Sequence, residues 1–452
     1  MKKTILISIF QSFLARSILG TEAFRKLISN KDIKIVILAP DFKKSFYEEN
    51  FGTENVTVEA VDDAKLRALS TTKFHKLSVL LLPTYFVRYR MKEKLYEKKR
   101  YLNFISRAFI NYILAPFKIS HRIFRFLDSH VSSTELFDHY FDKYKPDSVF
   151  ATDIFSPTDA NFLLSANRHK VKTIGMVRSW DCTTNKNFLR IVPSHVATNN
   201  TFVAEELVKF HDVDSKTIVP VGFAQFDSYI NTKPDSREDF FKEIGADINK
   251  RLILFAPGGS ALTNVDGDYC DILDKALKEG KIPNNLQFLV STHPQDTTDL
   301  SQFKDNKNFI IRRLGVSFGN NAKATEVNEA ATRGLINYIV HSDLLISLNT
   351  SMGLDVVIFD KPHIMIGFDG YEQRPFLKSV RRYHRENNMW GFIQTGAVRV
   401  AYSPEEMLEW INKYLADPSI DAMGRERARK EILYKVDGKS GDRIADFILK
   451  FL

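Results

Sequence analysis

Short apolar runs and helical patterns alternate along most of this chain. In the first half the runs Thr4–Ile9, Lys34–Leu38, Val56–Ala60, Ser148–Thr152, Thr173–Val177 and His195–Thr198 predict strands. Thr21–Ser29 and Ser133–Tyr144 carry helical spacing, and Pro146 and Asp147 break the second before the next strand. Strand–helix–strand repetition predicts a mostly parallel sheet covered on both faces. A second series begins after the punctuation of Pro220 and Gly222 and the polar stretch Asn231–Glu238. Its strands are Leu252–Ala256, Gln287–Ser291, Phe309–Ile311, Leu344–Leu348, His363–Gly367 and Val398–Ala401, with helices at Asp268–Glu279, Ala324–Ala331 and Pro404–Ala416. The expected fold is α/β, with two Rossmann-like domains whose parallel sheets face a central cleft. The expected boundaries are 1–232, 233–436 and a final helical segment 437–452 that crosses back to the first domain.

Length agrees with two domains: 452 residues exceed what one core usually supports. Apolar content of 44% and charged content of 26% are those of a globular protein. Two cysteines, Cys182 and Cys270, make neither a disulfide framework nor a CxxC pair, so a reducing cytoplasm is expected. The opening apolar run follows two lysines as a signal peptide would, but Gln11 and Ser12 interrupt it and Arg16 follows, so a buried first strand is expected.

Charge changes the picture at one place. Between Arg88 and Arg125 there are eleven Lys or Arg and two Glu, and 11 − 2 = +9 equals the net charge of the whole chain. Tyr96, Tyr101, Phe109, Phe117 and other apolar residues interleave with them. The segment reads as a helical insertion near 85–130. Basic aromatic helices suit an anionic membrane surface or a charged acceptor, and a solvated face is the plain alternative. Nucleic acid is disfavoured because no zinc knuckle or nucleic-acid module accompanies the charge. The expected location is cytoplasmic, with attachment to the inner face of the plasma membrane as an extension of that reading.

Candidate chemistry clusters where strands end. After Leu344–Leu348 come Asn349, Thr350 and Ser351, then a helix from Met352 to Phe359. Unpaired N–H groups and the helix field favour an anion there. Asp355 lies four residues beyond Ser351, a spacing that puts both on one face and suits phosphate and ribose contacts. His293, at the tip Thr292-His293-Pro294, can donate to phosphate or offset leaving-group charge, or hold loop carbonyls structurally. Gly258, Gly259 and Ser260 follow a strand, and their N–H groups either approach a diphosphate or close a simple turn. Asp369, Glu372 and Gln373 follow a later strand, where a sugar could be held. In the first half, Asp153 and Asp181 are candidate general bases for an incoming hydroxyl. Trp180 offers a flat face to a sugar, and Arg178 or Lys186 could hold an anionic acceptor. Scattered histidines without HxH or HExxH spacing predict no metal site.

Four stretches in this order carry a resemblance: Ser179–Lys186, Val221–Asp227, Thr292–Pro294 and the block from Ser347 through Ser351 and Asp355 to Lys361-Pro362. Together they resemble the GT-B glycosyltransferase superfamily, particularly bacterial surface-polysaccharide enzymes and CDP-glycerol glycerophosphotransferase-like proteins. The resemblance implies a donor site in the second domain, with His293, Thr350 and Ser351 near phosphates and Asp355 near ribose, and an acceptor site in the first. Some relatives carry Glu where Asp355 stands, and Trp180-Asp181-Cys182 departs from a Trp-Asp-Asn pattern. The implied activity is metal-independent transfer of a sugar from a nucleotide-sugar to a hydroxyl of a surface glycan or lipid-linked acceptor, with inversion if an aspartate acts as base. No cofactor is implied beyond the donor. A CDP-alditol phosphotransferase, a nucleotide-sugar 2-epimerase and a non-catalytic nucleotide-sugar-binding protein are the competing readings.

Overall fold

The computed structural model describes residues 2–11, 14–260, 262–292, 296, 298–313, 316–317, 325–326 and 329–452. The chain divides into two compact units, Met1–Asp227 with Asp437–Leu452, and Ser228–Val436. The first break follows Asp227 rather than Thr232.

Unit 1 holds seven parallel strands: β1 (Lys3–Ser8), β2 (Ile33–Pro40), β3 (Val56–Val61), β4 (Ser148–Ala151), β5 (Lys172–Met176), β6 (His195–Thr198) and β7 (Ile218–Pro220). Their order is β3-β2-β1-β4-β5-β6-β7, so the direction of winding reverses between β1 and β4. Ile5 to Ser8 run in register with Ser148 to Ala151 across that reversal. Open α/β sheets bind ligands beyond the carboxyl ends of strands at such a point. Both faces are covered, which is why β1 and β2 are near-continuous apolar runs.

The C-terminal helix Ser440–Phe451 belongs to this unit and packs on helix Glu22–Ser29. Ile444, Phe447 and Ile448 join Leu27, Ile35 and Ile37 in one core. Each such side chain contributes about 1.5–3 kcal/mol when fully buried. Asp227 caps the helix, its carboxylate accepting from Ser440 N at 3.0 Å and Gly441 N at 2.6 Å. Burial raises the Asp227 pKa, and those two N–H groups oppose the rise. Lys3 Nζ donates to Leu452 O at 2.9 Å, and the Phe451 ring stacks on His195.

The basic insertion consists of helices Tyr85–Lys98, Tyr101–Ala108 and Lys118–Val131, with π-helical turns at Phe109–Leu114. No helix among the described residues is long and apolar enough to cross a membrane.

Unit 2 has β8 (Arg251–Ala256), β9 (Leu286–Thr292), β10 (Phe309–Arg313), a two-residue antiparallel pair β11 (Val316–Ser317) and β12 (Thr325–Glu326), then β13 (Leu344–Ser347), β14 (His363–Ile366) and β15 (Arg399–Ala401). The main sheet is parallel in the order β10-β9-β8-β13-β14-β15, reversing between β8 and β13. The helix expected at Ala324–Ala331 instead starts at Glu329 and runs to Val340, because Thr325 and Glu326 pair as a strand. Pro404–Ala416 is a helix as the pattern predicts: Ser403 accepts from Glu406 N at 3.2 Å, and Pro404 stands where a missing N–H costs nothing.

Candidate active site

In unit 2 the loops after β8, β9 and β13 are neighbours, since those strands are adjacent. A Cβ on Gly258 would come within 3.1 Å of Leu348 Cδ2, so the β8 loop lies against the end of β13. Gly259 has φ +69°, a left-handed conformation that favours glycine, and a Cβ there would meet the Asp296 carboxylate at 3.0–3.2 Å. The loop's N–H groups do not await a diphosphate. Gly258 N and Gly259 N donate to Asp266 at 3.0 and 2.7 Å, and Ser260 N donates to Asp296 Oδ1 at 2.9 Å. This corrects the expectation for Gly258, Gly259 and Ser260: a phosphate reaching these donors would have to displace two buried carboxylates. Burial pushes the Asp266 pKa up to about 6, against the two N–H donors and with the Asp296 charge adding to the rise. The pair fixes the turn; sequence reading missed it because Asp266 lies six residues past the turn and Asp296 on another loop.

At the end of β13 the polar set is more open. Ser351 is exposed, and Asn349 and Thr350 are half-buried. Thr350 Oγ1 accepts from Met352 N at 3.3 Å, and Asn349 Nδ2 lies 3.4 Å from Glu386 Oε2. The helix that follows, Met352–Ile358, buries Gly353 through Val357 without interruption. Asp355 is therefore enclosed, only 7% exposed, and accepts the Tyr229 hydroxyl at 2.9 Å. Ser351 is exposed while Asp355, four residues on, is enclosed, so Asp355 does not offer ribose an open carboxylate. Behind the tip, Ser347 Oγ and His363 Nε2 are 2.7 Å apart and both residues are fully buried. Burial pushes the His363 pKa down to about 3, so its ring is neutral. Ser347 also donates to Leu348 O at 2.9 Å, which leaves His363 Nε2–H as the donor in the pair. Asp369 accepts from Val380 N at 2.8 Å and is buried rather than open to a sugar. His293, the sharpest candidate of the sequence, lies outside the described residues, as do Pro294 and Gln295.

In unit 1 the acids gather at the reversal of the sheet. Asp153 follows β4 and is 4% exposed, its Oδ2 2.9 Å from Arg178 Nε. The Asp153 charge raises the Arg178 pKa against the effect of burial. These two candidates are thus partners: Asp153 is a buried counter-ion rather than a free base, and Arg178 is committed to it rather than to an acceptor. Trp180, 4% exposed, packs inside and shows no face to a sugar. Asp181 is half-buried at the start of the short helix Cys182–Asn185, and its side chain makes no cap hydrogen bond. Of the two proposed bases it is the accessible one. Lys186 is exposed nearby in sequence, while burial raises the pKa of the Cys182 thiol and keeps it unreactive.

Asp159 is a residue the sequence reading did not single out. It sits in the first turn of helix Pro157–Arg168, fully buried, and accepts the Ser8 hydroxyl from the end of β1. Burial pushes its pKa up to about 8; the Asp153 charge adds to the rise and the Ser8 bond opposes it. Its Oδ2 has no partner among the described residues. The signal available was Ser156-Pro157-Thr158-Asp159, a helix-start pattern directly after a strand. No group of three or more His, Cys, Asp or Glu is gathered as a metal site among the described residues.

The profile of one protein family, CDP-glycerol:poly(glycerophosphate) glycerophosphotransferase, matches residues 165–450. The chain belongs to this family. As a glycerophosphotransferase-family member it is an enzyme of the glycosyl- or phosphoryl-transfer kind, a transferase of surface polymers. The match takes in Arg178, Asp181, all of unit 2 and most of the C-terminal helix, and leaves the basic helices, Asp153 and Asp159 outside. Among solved structures, UDP-GlcNAc 2-epimerase of Neisseria meningitidis bound to UDP-GlcNAc is 12% identical, with 99% of this chain and 100% of that one covered at a TM-score of 0.55. The Methanocaldococcus jannaschii UDP-GlcNAc 2-epimerase in complex with UDP-GlcNAc and UDP is 14% identical, with 100% of both chains covered at 0.54. A glycosyltransferase of Rickettsia africae is 12% identical, with 99% of both covered at 0.50. At such identities these likenesses show the fold, which is GT-B-like. A search of curated proteins finds no match.

Proposed function

We propose that this family member transfers an alditol phosphate from a CDP-alditol to a hydroxyl of a surface polymer or lipid-linked acceptor. The observation that carries the reading is the family match, which spans the β8, β9 and β13 ends and Asp181. The acceptor oxygen attacks the phosphorus that bears the alditol, the phosphoanhydride bond to CMP breaks, and a phosphodiester and CMP result. Asp181 takes the hydroxyl proton as general base, a role worth about 10²–10⁴-fold. The Thr350 and Ser351 hydroxyls at the end of β13 meet the donor phosphates, with Asn349 beside them. His293, which follows Thr292 in the sequence and lies outside the described residues, is proposed as a further hydrogen-bond donor to phosphate from its place in the sequence alone. Asp266, Asp296 and the Ser347–His363 pair hold these loops in shape.

A donor panel tests this, with CDP-glycerol, other CDP-alditols and UDP-sugars compared by calorimetry and by nucleotide release in the presence of a polyol-phosphate polymer. The expected product is CMP, formed from a CDP-alditol only when acceptor is present. Release of UDP from a UDP-sugar, with no reaction of any CDP-alditol, would overturn the proposal in favour of sugar transfer. Thr350→Ala with Ser351→Ala should weaken CDP-alditol binding, and Asp181→Asn should slow turnover with binding unchanged.

A further inference from the structure

The loop after β5 carries two opposite charges three positions apart. Arg178 follows the strand, and Asp181 stands at the start of helix Cys182–Asn185. Asp181 is half-buried and, among the described residues, its carboxylate makes no ion pair; the Cys182 thiol lies 4.0 Å from its Oδ1. The guanidinium is engaged elsewhere, with Arg178 Nε 2.9 Å from Asp153 Oδ2 at the end of β4. Both carboxylates act on it. Asp153 leads the rise in the Arg178 pKa, burial opposes it, and Asp181 adds a smaller part.

Of the two, Asp153 is the one the fold holds in place. It is buried, its Oδ1 accepts from Phe155 N at 3.3 Å, and its own N–H lies 3.5 Å from Asp159 Oδ1. Burial keeps a proton on Asp159 below about pH 8, so a neutral carboxyl rather than a second anion stands beside Asp153. The interior then balances one carboxylate against one guanidinium. That balance matters to a general base. An arginine in contact with an aspartate stabilises the ionised form and weakens the carboxylate as a proton acceptor.

We propose that Asp153 is a positioning residue for the transfer reaction: it holds the Arg178 guanidinium off Asp181, so that the base meets the acceptor hydroxyl unpaired. The inference rests on the reading of Asp181 as general base given above. In this role Asp153 touches no reacting atom. Around Asp181 stand the neutral Cys182 thiol, Lys186 at the end of the short helix, and Glu206 of helix Thr201–His211, which accepts the Thr183 hydroxyl. Helix Tyr85–Lys98 packs on the same short helix, with Arg88 turned to Asn111 and Tyr112. These groups are unchanged in the variants below, so a shift between variants reports Arg178.

The test is the pH dependence of nucleotide release, with the donor that the panel selects and a polyol-phosphate acceptor. Asp181→Asn is measured first. A wild-type rate there removes the base, and this inference with it; a slowed rate keeps the base and leaves the positioning role to the next variants. Asp153→Asn should move the acid limb of kcat/KM to lower pH by about 1–3 units. Its plateau should fall by roughly tenfold, within the ~10²–10⁴-fold that a general base contributes. Asp153→Asn/Arg178→Met, with neither charge present, should return the limb to its wild-type position and turn over faster than Asp153→Asn. A carboxylate that served folding alone would change the yield of folded enzyme and leave the limb in place. Should Asp153→Asn not fold, Asp153→Asn/Arg178→Lys takes its place, since a flexible ammonium reaches water more readily, and the same downward shift is expected. An unmoved limb in the folded variant that keeps the cation overturns the proposal. So does a double variant with Met that is no faster than the variant retaining the cation.

Discussion

A carboxyl with no room for its charge makes Asp159 a pH-sensitive point. Its pKa is raised from 3.8 to about 8, so the folded chain retains a proton that the unfolded chain releases. Stability contributed by this group is therefore full below pH ~4 and declines as pH rises towards about 8. His211 and His363 act in the opposite sense: burial pushes both down to about 3, so the unfolded state takes protons below pH ~6.5 and stability falls with acid. Asp159→Asn removes the alkaline decline alone, and thermal unfolding followed from about pH 5 to about pH 8 should rise more steeply in the variant than in wild type. A second prediction concerns the phenol that closes over Asp355. Tyr229→Phe removes a hydrogen bond from a buried carboxylate and should lower stability by about 1–3 kcal/mol in denaturant titration. Neither group was legible in the sequence as what it is. Asp355 stood out as a lone charge on an apolar helix, but its partner lies 126 residues away. Asp159 lacked any local oddity beyond a capping pattern, and its burial depends on β1 meeting β4.

At the scale of elements, periodicity carried well because parallel strands buried on both faces are apolar throughout and end in polar turns. The β8 and β13 ends were readable for that reason. What their backbone donors bind was not, since Asp266 and Asp296 come from outside the turn. Gly259 shows how tightly that loop is drawn. Gly259→Ala forces a left-handed alanine against the Asp296 carboxylate and should cost about 1–2 kcal/mol or more, visible as a lower unfolding temperature. Asp128, on helix Lys118–Val131, and Arg190, 62 residues on, form a buried pair that no local spacing signals. Arg190→Met leaves Asp128 uncompensated and should destabilise by about 3–5 kcal/mol, whereas Arg190→Met with Asp128→Leu should recover most of the loss. Chemical denaturation of the two single variants and the double checks this.

The whole molecule is organised by its closing helix. Unit 1 is not continuous in the chain; Ser228–Val436 is inserted between Asp227 and Asp437, and the cap that Asp227 places on Ser440 and Gly441 ties the two ends of the insertion. Asp227→Ala should weaken that cap by about 1–2 kcal/mol and make the Ser440–Phe451 helix the first site of limited proteolysis. The arrangement also sets a timetable for biosynthesis. A ribosome adding about 5–20 residues per second needs roughly 10–40 s to make the inserted unit. Throughout that interval the nascent first sheet carries the naked flank of helix Glu22–Ser29, with Leu27 and Ile35 awaiting Ile444 and Ile448. The core of the first unit is therefore complete only once residues 440–451 have been made.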